Sequence, residues 1–286
     1  MIECVPNFSE GRDLAKVRAI VDAIAAVPSV LLLGWEADPD HHRAVVTFAG
    51  ASEAVKEGAV RGAGKAVELI DLNHHVGVHP RVGAADVIPF VPLSGSRMEE
   101  CAALARVTGN IIWARYGMPA YFYEAAARTE SRRRLEKIRR EGFDGQPPDV
   151  GDVAAHPTAG ASCIGARGFL IAFNVNLQTD DVEIAREIAR KLRESSGGFR
   201  HVKAMGVYLT TRGRAQVSMN LTNYAETPLE DVYAAIAAES KVAECELVGF
   251  VPRHAFEMHP AFFERAVNFN DSRIIETRIG QLLESK

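Results

Sequence analysis

The stretch Phe169-Leu170-Ile171-Ala172-Phe173-Asn174-Val175 reads as a strongly apolar strand, and the elements that follow it decide the fold. Asp180–Glu194 has helical spacing, with acidic residues in the first turn where they complement the helix dipole. Val202–Leu209 and Ala215–Leu221 form a hairpin pattern around Thr211-Arg212-Gly213. Pro228–Glu239 is a helix with proline at or near its first position, Leu247–Val251 a closing strand, and Arg273–Leu283 a terminal helix. The order is strand, helix, strand, strand, helix, strand.

The residues before Phe169 run through the same order. A strand at Ile2–Asn7 is followed by a helix from Leu14 to Ala26, then by extended segments Val30–Trp35 and Ala44–Phe48 around Asp38-Pro39-Asp40. A second helix spans Ser52–Leu69 with Ser52 as its expected N-cap, and Val87–Val91 closes the set. A helix at Met98–Trp113, a strand at Pro119–Tyr123 and a basic helix at Glu130–Glu141 extend it. No residue-level repeat is visible; only the element order recurs. The expected fold is α+β, with two split-βαβ (ferredoxin-like) subdomains over residues 1–165 and 166–286. Helices on one face of each sheet leave the other face needing cover. Sheets facing each other, with helices outside, would create a central crevice suited to ligands. The Gly-, Pro- and Asp-rich link from Phe143 to Ala166 falls at that seam and reads as an unstructured functional joint.

Bulk properties narrow the function. The 286-residue chain is 47% hydrophobic and 24% charged, an ordinary globular composition with enough apolar content for a core. Its balance of 33 basic to 37 acidic residues argues against nucleic acid as a partner. No apolar run approaches the roughly 20 residues that span a bilayer, and no secretory signal opens the chain, so a cytoplasmic protein is expected. Cys4, Cys101, Cys163 and Cys245 form no close pair, which favours reduced thiols.

Chemistry concentrates in His74-His75-Val76-Gly77-Val78-His79-Pro80-Arg81-Val82-Gly83-Ala84. Glycine and proline at that density exclude a helix, so these side chains sit on a loop leading into a buried strand. Histidine alone has an unperturbed pKa, roughly 6.5, that serves both base and acid near neutrality. His75 and His79 have the i, i+4 spacing of helical metal ligands, but the loop denies them a helix, and no metal site is expected. His74 and His75 read as solvated loop residues, and His254 and His259 as surface groups. Asn174 and Asn176 share one sheet face, pointing to a polar ligand or to amides that satisfy each other. Asn7, Ser9 and Glu10 either line the seam or cap the next helix. The run Arg128 to Glu141, with seven basic and three acidic residues, reads as a solvated helix face.

Together these segments resemble the formiminotransferase family. The likeness is carried by Cys4-Val5-Pro6-Asn7-Phe8-Ser9-Glu10-Gly11, Val78-His79-Pro80-Arg81-Val82-Gly83-Ala84 and Gly165-Ala166-Arg167-Gly168-Phe169-Leu170-Ile171-Ala172-Phe173-Asn174-Val175-Asn176, with Gln216-Val217-Ser218-Met219-Asn220-Leu221 and Leu247-Val248-Gly249-Phe250-Val251-Pro252 downstream. The resemblance implies transfer of a formimino group from N-formiminoglutamate to N5 of tetrahydrofolate, a late step of histidine breakdown. Tetrahydrofolate is then the acceptor substrate, with no metal. The family's catalytic histidine falls on His79, and its folate-binding stretch on Gly151-Asp152-Val153-Ala154-Ala155-His156-Pro157-Thr158-Ala159-Gly160. His156 would either contact the pterin or pin its own loop. The family fold has facing sheets with a tunnel between them.

Glu36 and His42 stand where some relatives carry Asp and Asn; Glu36 is expected to orient His79, and both positions bear on substrate preference. Arg43 and Arg81 are candidates for the substrate carboxylates, which arginine forks suit bidentately. The resemblance further implies a homodimer whose product passes to a separate cyclodeaminase. Transfer of a formyl group from 5-formyltetrahydrofolate to glutamate, and folate binding without turnover, are the alternatives.

Overall fold

Proline at position 6 has no amide to give a ladder, and it splits the first expected strand into β1 (Ile2–Cys4) and β2 (Asn7–Phe8). The computed structural model describes residues 1–285, and the chain divides into two units, Met1–Arg167 and Gly168 onward. In the first unit, β1 and β2 both lie antiparallel between β4 (Arg43–Gly50) and β5 (Ala85–Pro92), and β3 (Leu31–Asp38) pairs with β4. In order of the chain's own strands this is 4-1-3-2, the split-βαβ arrangement.

Helices α1 (Leu14–Ala25) and α2 (Ser52–Leu69) cover one face of this sheet. Asp13 caps α1 through its carboxylate, which accepts from the Ala15 and Lys16 amides. The cap is worth about 1 kcal/mol, whereas each of the buried Val17, Ile20, Val21 and Ile24 contributes about 1.5–3 kcal/mol. The apolar stripe therefore holds the helix. Ser52 is the first helical residue rather than the cap; Ala51 occupies that position with no side-chain bond.

Beyond β5 come α3 (Met98–Tyr116), β6 (Ala120–Glu124), α4 (Leu135–Gly145) and β7 (Ser162–Ala166). The link expected to be unstructured up to Ala166 ends instead in β7, which runs parallel to both β5 and β6 inside a seven-stranded sheet. All five residues are buried, but Ser162, Gly165 and Ala166 are small, so the strand left no strong apolar signal. The sheet's second face is covered near β6 and β7 by α4, where Val87, Tyr121, Tyr123, Cys163 and Ile138 pack together.

The second unit repeats the 4-1-3-2 order with β8 (Ile171–Leu177), α5 (Val182–Leu192), β9 (Val202–Leu209), β10 (Arg214–Leu221), α6 (Leu229–Glu239) and β11 (Val242–Val248). β11 begins five residues before the expected Leu247 because Glu244 and Glu246 alternate with the buried Cys245 and Leu247. Helices α7 (Arg253–Met258), α8 (Pro260–Phe263) and α9 (Ile275–Glu284) complete it, with Phe262 and Phe263 fully buried. All four cysteines are buried and free of disulfides. Among the described residues no helix is long and apolar enough to cross a membrane.

Candidate active site

The site is organised by an irregularity in β5. Asn7 pairs with Val87 and Phe8 with Ala85, which leaves Asp86 as the extra residue of a bulge. A bulge re-aims a side chain, and here it sends a carboxylate out of an apolar strand toward the face that carries Arg43. Asp86 is fully buried. One of its oxygens accepts the Val82 amide at 2.7 Å. The other accepts Nη1 of Arg43 at 2.8 Å and Nη2 of Arg139 at 2.5 Å. Burial alone would raise this carboxyl's pKa, but the two guanidiniums and the Val82 amide hold it far below the usual carboxylate range.

Arg43 reaches further. Its Nε donates to Oδ1 of Asn7 at 2.8 Å, and its Nη1 lies 3.1 Å from Nδ1 of His79. Burial lowers the Arg43 pKa to about 10, with Asp86 opposing, so it remains a cation at neutral pH. His79 is partly buried, and its Nδ1 also lies 2.8 Å from the Pro80 carbonyl. Burial first, then the Arg43 and Arg139 charges, pushes the His79 pKa well below the ordinary value. A neutral imidazole with Nδ1–H on the Pro80 carbonyl presents an unprotonated Nε2, the form of a general base.

Arg81 clamps the surrounding loops. Its Nη2 donates to the His79 carbonyl at 2.7 Å and to the His41 carbonyl at 3.3 Å, while Nη1 reaches the His42 carbonyl at 3.3 Å. Nη1 also packs against both ring nitrogens of His75, at 2.6 and 2.7 Å. The His75 ring stacks on His42, centroids 3.8 Å apart. Burial and the Arg81 charge lower its pKa to about 4, so His75 is not the solvated loop residue that the sequence implied. His42 has φ +49°, a left-handed conformation that Asn, Asp and His adopt more readily than other residues. Its Nδ1 faces the Val76 carbonyl at 2.9 Å and its Nε2 faces Glu10 at 3.1 Å. Glu10 in turn accepts the amides of Gly11, Arg12 and Asp13. Glu10 thus both caps the approach to α1 and anchors the histidine cluster.

The 151–160 segment is sewn to the His79 loop by backbone hydrogen bonds. Ala84 N–H donates to the Ala159 carbonyl at 2.9 Å, Ala161 N–H to Val82 at 3.0 Å, and Leu72 N–H to Thr158 at 2.8 Å. Gly83 allows this approach, since a Cβ there would lie 1.8 Å from the Ala161 carbonyl oxygen. Gly160 closes the turn with φ +68°. His156 pins its own loop, its Nδ1 accepting the amides of Thr158 and Ala159 at 3.3 and 3.1 Å. Gly151, Asp152, Val153, Ala154, Ala155 and Pro157 are exposed, so the outer part of the segment presents open backbone and small side chains.

The structure therefore brings Asn7, Arg43, His42, His79 and Arg81 into one hydrogen-bonded cluster, next to the 158–160 turn. Glu36 lies on β3 opposite Val45, on the sheet face that Arg43 shares. Asn174 and Asn176 lie on β8 of the second unit. The Asn176 amide is satisfied internally, accepting from Gln216 at 2.8 Å and donating to Glu244 at 3.0 Å. His259 is not a surface group: it bonds Glu230 at 2.9 Å and the Tyr224 carbonyl at 3.1 Å. Among the described residues no group of three or more His, Cys, Asp or Glu is arranged to hold a metal ion.

Sequence reasoning missed Asp86 and Arg139. Asp86 had a signal, as the one charged residue between Ala84 and Pro92. Arg139 had none, because α4 carries the adjacent Arg139 and Arg140 and only the packing shows which one turns inward. Arg132 also leaves the expected solvated face, pairing with the buried Asp149 at 2.6 Å.

Known proteins resemble the chain over nearly its whole length. The profile of the Formiminotransferase domain, N-terminal subdomain, matches residues 1–167, and that of the Formiminotransferase domain matches residues 172–282. A glutamate formimidoyltransferase of Thermoplasma acidophilum is 41% identical, covering 98% of this chain and 97% of that protein. One from Streptococcus pyogenes serotype M1 is 39% identical, covering 89% of this chain and 90% of that protein. The formimidoyltransferase-cyclodeaminase of Gallus gallus is 42% identical over 89% of this chain, which spans 51% of that longer protein.

Proposed function

The chain belongs to the formiminotransferase domain family, and on that premise we propose that it is a glutamate formimidoyltransferase. It moves the formimino group of N-formimino-L-glutamate to N5 of tetrahydrofolate, giving 5-formiminotetrahydrofolate and glutamate. The observation that carries the mechanism is the placement of His79, partly buried with its Nδ1 at the Pro80 carbonyl and Arg43, where burial and the neighbouring cations favour the neutral ring.

The formimino carbon is an amidine carbon, already electrophilic when protonated. N5 attacks it, forming an N5–C bond and a tetrahedral adduct. Nε2 of His79 takes the proton that N5 must lose. The C–N bond to glutamate then breaks, and the same Nε2 returns the proton to the departing nitrogen. Such positioned proton transfer typically contributes 10²–10⁴-fold, and holding both substrates together supplies much of the rest. In this reading Gly151 to Gly160 contacts the folate, Glu36 steadies the His79 ring or the amidinium, and the cationic excess of Arg43, Arg81 and Arg139 over Asp86 suits the substrates' carboxylates. Histidine degradation in the cytoplasm, a homodimer and a separate cyclodeaminase acting on the product complete the proposal.

The test is to mix purified protein, tetrahydrofolate and N-formiminoglutamate and to follow the methenyl chromophore after acid. Transfer is expected, and a folded His79→Gln variant should lose about 10²–10⁴-fold in kcat. Wild-type turnover in that variant refutes the role of His79. Folate binding with no transfer identifies a binder, and turnover only with 5-formyltetrahydrofolate and glutamate identifies the formyl-transfer alternative.

A further inference from the structure

Asp86 has no place in the chemistry above, yet it occupies the centre of the site. A carboxylate taken out of water costs several kcal/mol, and a buried ion pair is commonly no more stable than apolar residues of the same volume. Stability by itself does not call for an aspartate in the middle of an apolar strand. Its contacts supply another reason. One oxygen holds the Val82 amide, three residues from His79 in the same loop, and the other holds Arg43 and Arg139. With Nε tied to Asn7 and Nη1 to Asp86, Arg43 is fixed at two points, and Nη1 then stands 3.1 Å from Nδ1 of His79.

Nδ1 faces two groups of opposite kind. The Pro80 carbonyl only accepts and the Arg43 guanidinium only donates, so Nδ1 can serve one of them at a time. A neutral ring satisfies either neighbour by choice of tautomer, and only the tautomer with Nδ1–H on Pro80 leaves Nε2 free to take a proton. An imidazolium must keep Nδ1–H, which the Pro80 carbonyl can accept, but its positive charge then faces a fixed guanidinium. The charged state is opposed, and a proton taken up at Nε2 is readily passed on. The groups around the ring are Arg43 from β4, Asp86 from β5 and Arg139 from α4, with the His41 ring 6.1 Å away and the Arg81 fork on the His79 carbonyl.

We propose that Asp86 is a positioning residue for this reaction: it fixes the Arg43 guanidinium beside the His79 ring, whose Nδ1–H the Pro80 carbonyl accepts, and anchors the His79 loop to the same carboxylate, so that the protonated ring is opposed and hands its proton on from Nε2. The inference rests on His79 being the proton carrier.

The test combines kinetics with ¹⁵N NMR of the histidine rings in wild type, Asp86→Asn, Arg43→Gln and the double variant. Arg43→Gln removes the opposing cation, so His79 should titrate at higher pH and the acid limb of kcat/KM should move up by at least one pH unit. Asp86→Asn keeps an acceptor for the Val82 amide but releases Arg43; kcat should fall at least tenfold, while the His79 titration moves less than in Arg43→Gln because losing the carboxylate opposes releasing the guanidinium. Because Asp86 acts through Arg43, adding Asp86→Asn to Arg43→Gln should cost less than a further threefold. A folded Asp86→Asn protein with wild-type kcat and acid limb overturns the proposal, as do losses that multiply independently in the double variant. If Asp86→Asn does not fold, Arg43→Gln decides, and an unmoved His79 titration overturns the idea. Absence of transfer in the wild type refutes the catalytic reading, while the NMR titrations still decide whether Arg43 governs the ring.

Discussion

Lowering the pH from 7 to 5 should destabilise this protein through two rings that its fold keeps neutral. Burial, then the neighbouring guanidiniums, depress the pKa values of His75 and His79. Unfolding returns each to an ordinary value of about 6.5. The unfolded chain therefore binds more protons below that pH, and stability falls as pH drops through 6.5, continuing to about 4 for His75. Above neutrality neither ring contributes. A ring that stays neutral at pH 5 while its unfolded counterpart is protonated costs the fold about 2 kcal/mol between pH 7 and 5. His75 is partly exposed, and allowing for solvent screening its ring should cost about 1 kcal/mol rather than about 2, with His79 adding in the same direction. In a chain of this size the His75 share alone is a fall of roughly 2–4 °C in Tm. Asp86 and Glu10 act in a different window. Their depressed carboxyls stabilise the fold above the unfolded carboxyl value of about 4, and that contribution is lost only as pH falls below it. Urea unfolding at pH 7, 6 and 5 measures the effect, with His75→Gln as the control that should flatten the slope. A midpoint unchanged between pH 7 and 5, or a His75→Gln slope equal to wild type, refutes the reasoning.

Further outcomes follow from particular contacts. Gly83→Val places carbon against the Ala161 carbonyl, within 1.8 Å at Cβ, and should cost at least about 2 kcal/mol, read as a lowered Tm together with lost transfer. Asn176→Ala strips the buried Gln216 and the partly exposed Glu244 side chains of their shared partner and should destabilise the second unit by about 1–3 kcal/mol in urea titrations, with little change in the pH dependence of kcat. Chelators should leave transfer unchanged, because the protonated amidine carbon needs no Lewis acid to be attacked; a rate lost to chelator and restored by a divalent metal would contradict this.

Local signals carried a large part of the description. Helical spacing placed α1, α2 and α6 to within a residue or two, because their buried stripes recur every three or four positions. Strand alternation and turn residues placed β9 and β10. Glycine and proline density identified the His79 loop, since those residues restrict the backbone wherever they stand. β7 escaped because Ser162, Gly165 and Ala166 are too small to look like a strand until β5 and β6 flank them.

The sequence by itself determined the doubled strand–helix order and the position of the histidine loop, because periodicity and backbone restriction act between near neighbours. Only the tertiary structure decided which charges meet. Arg43 and Asp86 are 43 residues apart, and Arg139 and Asp86 are 53 apart. Their pairing depends on one bulge in β5 and one inward turn of α4, which no local pattern encodes. The protonation state of His79 belongs to that second class, since burial and a distant guanidinium set it.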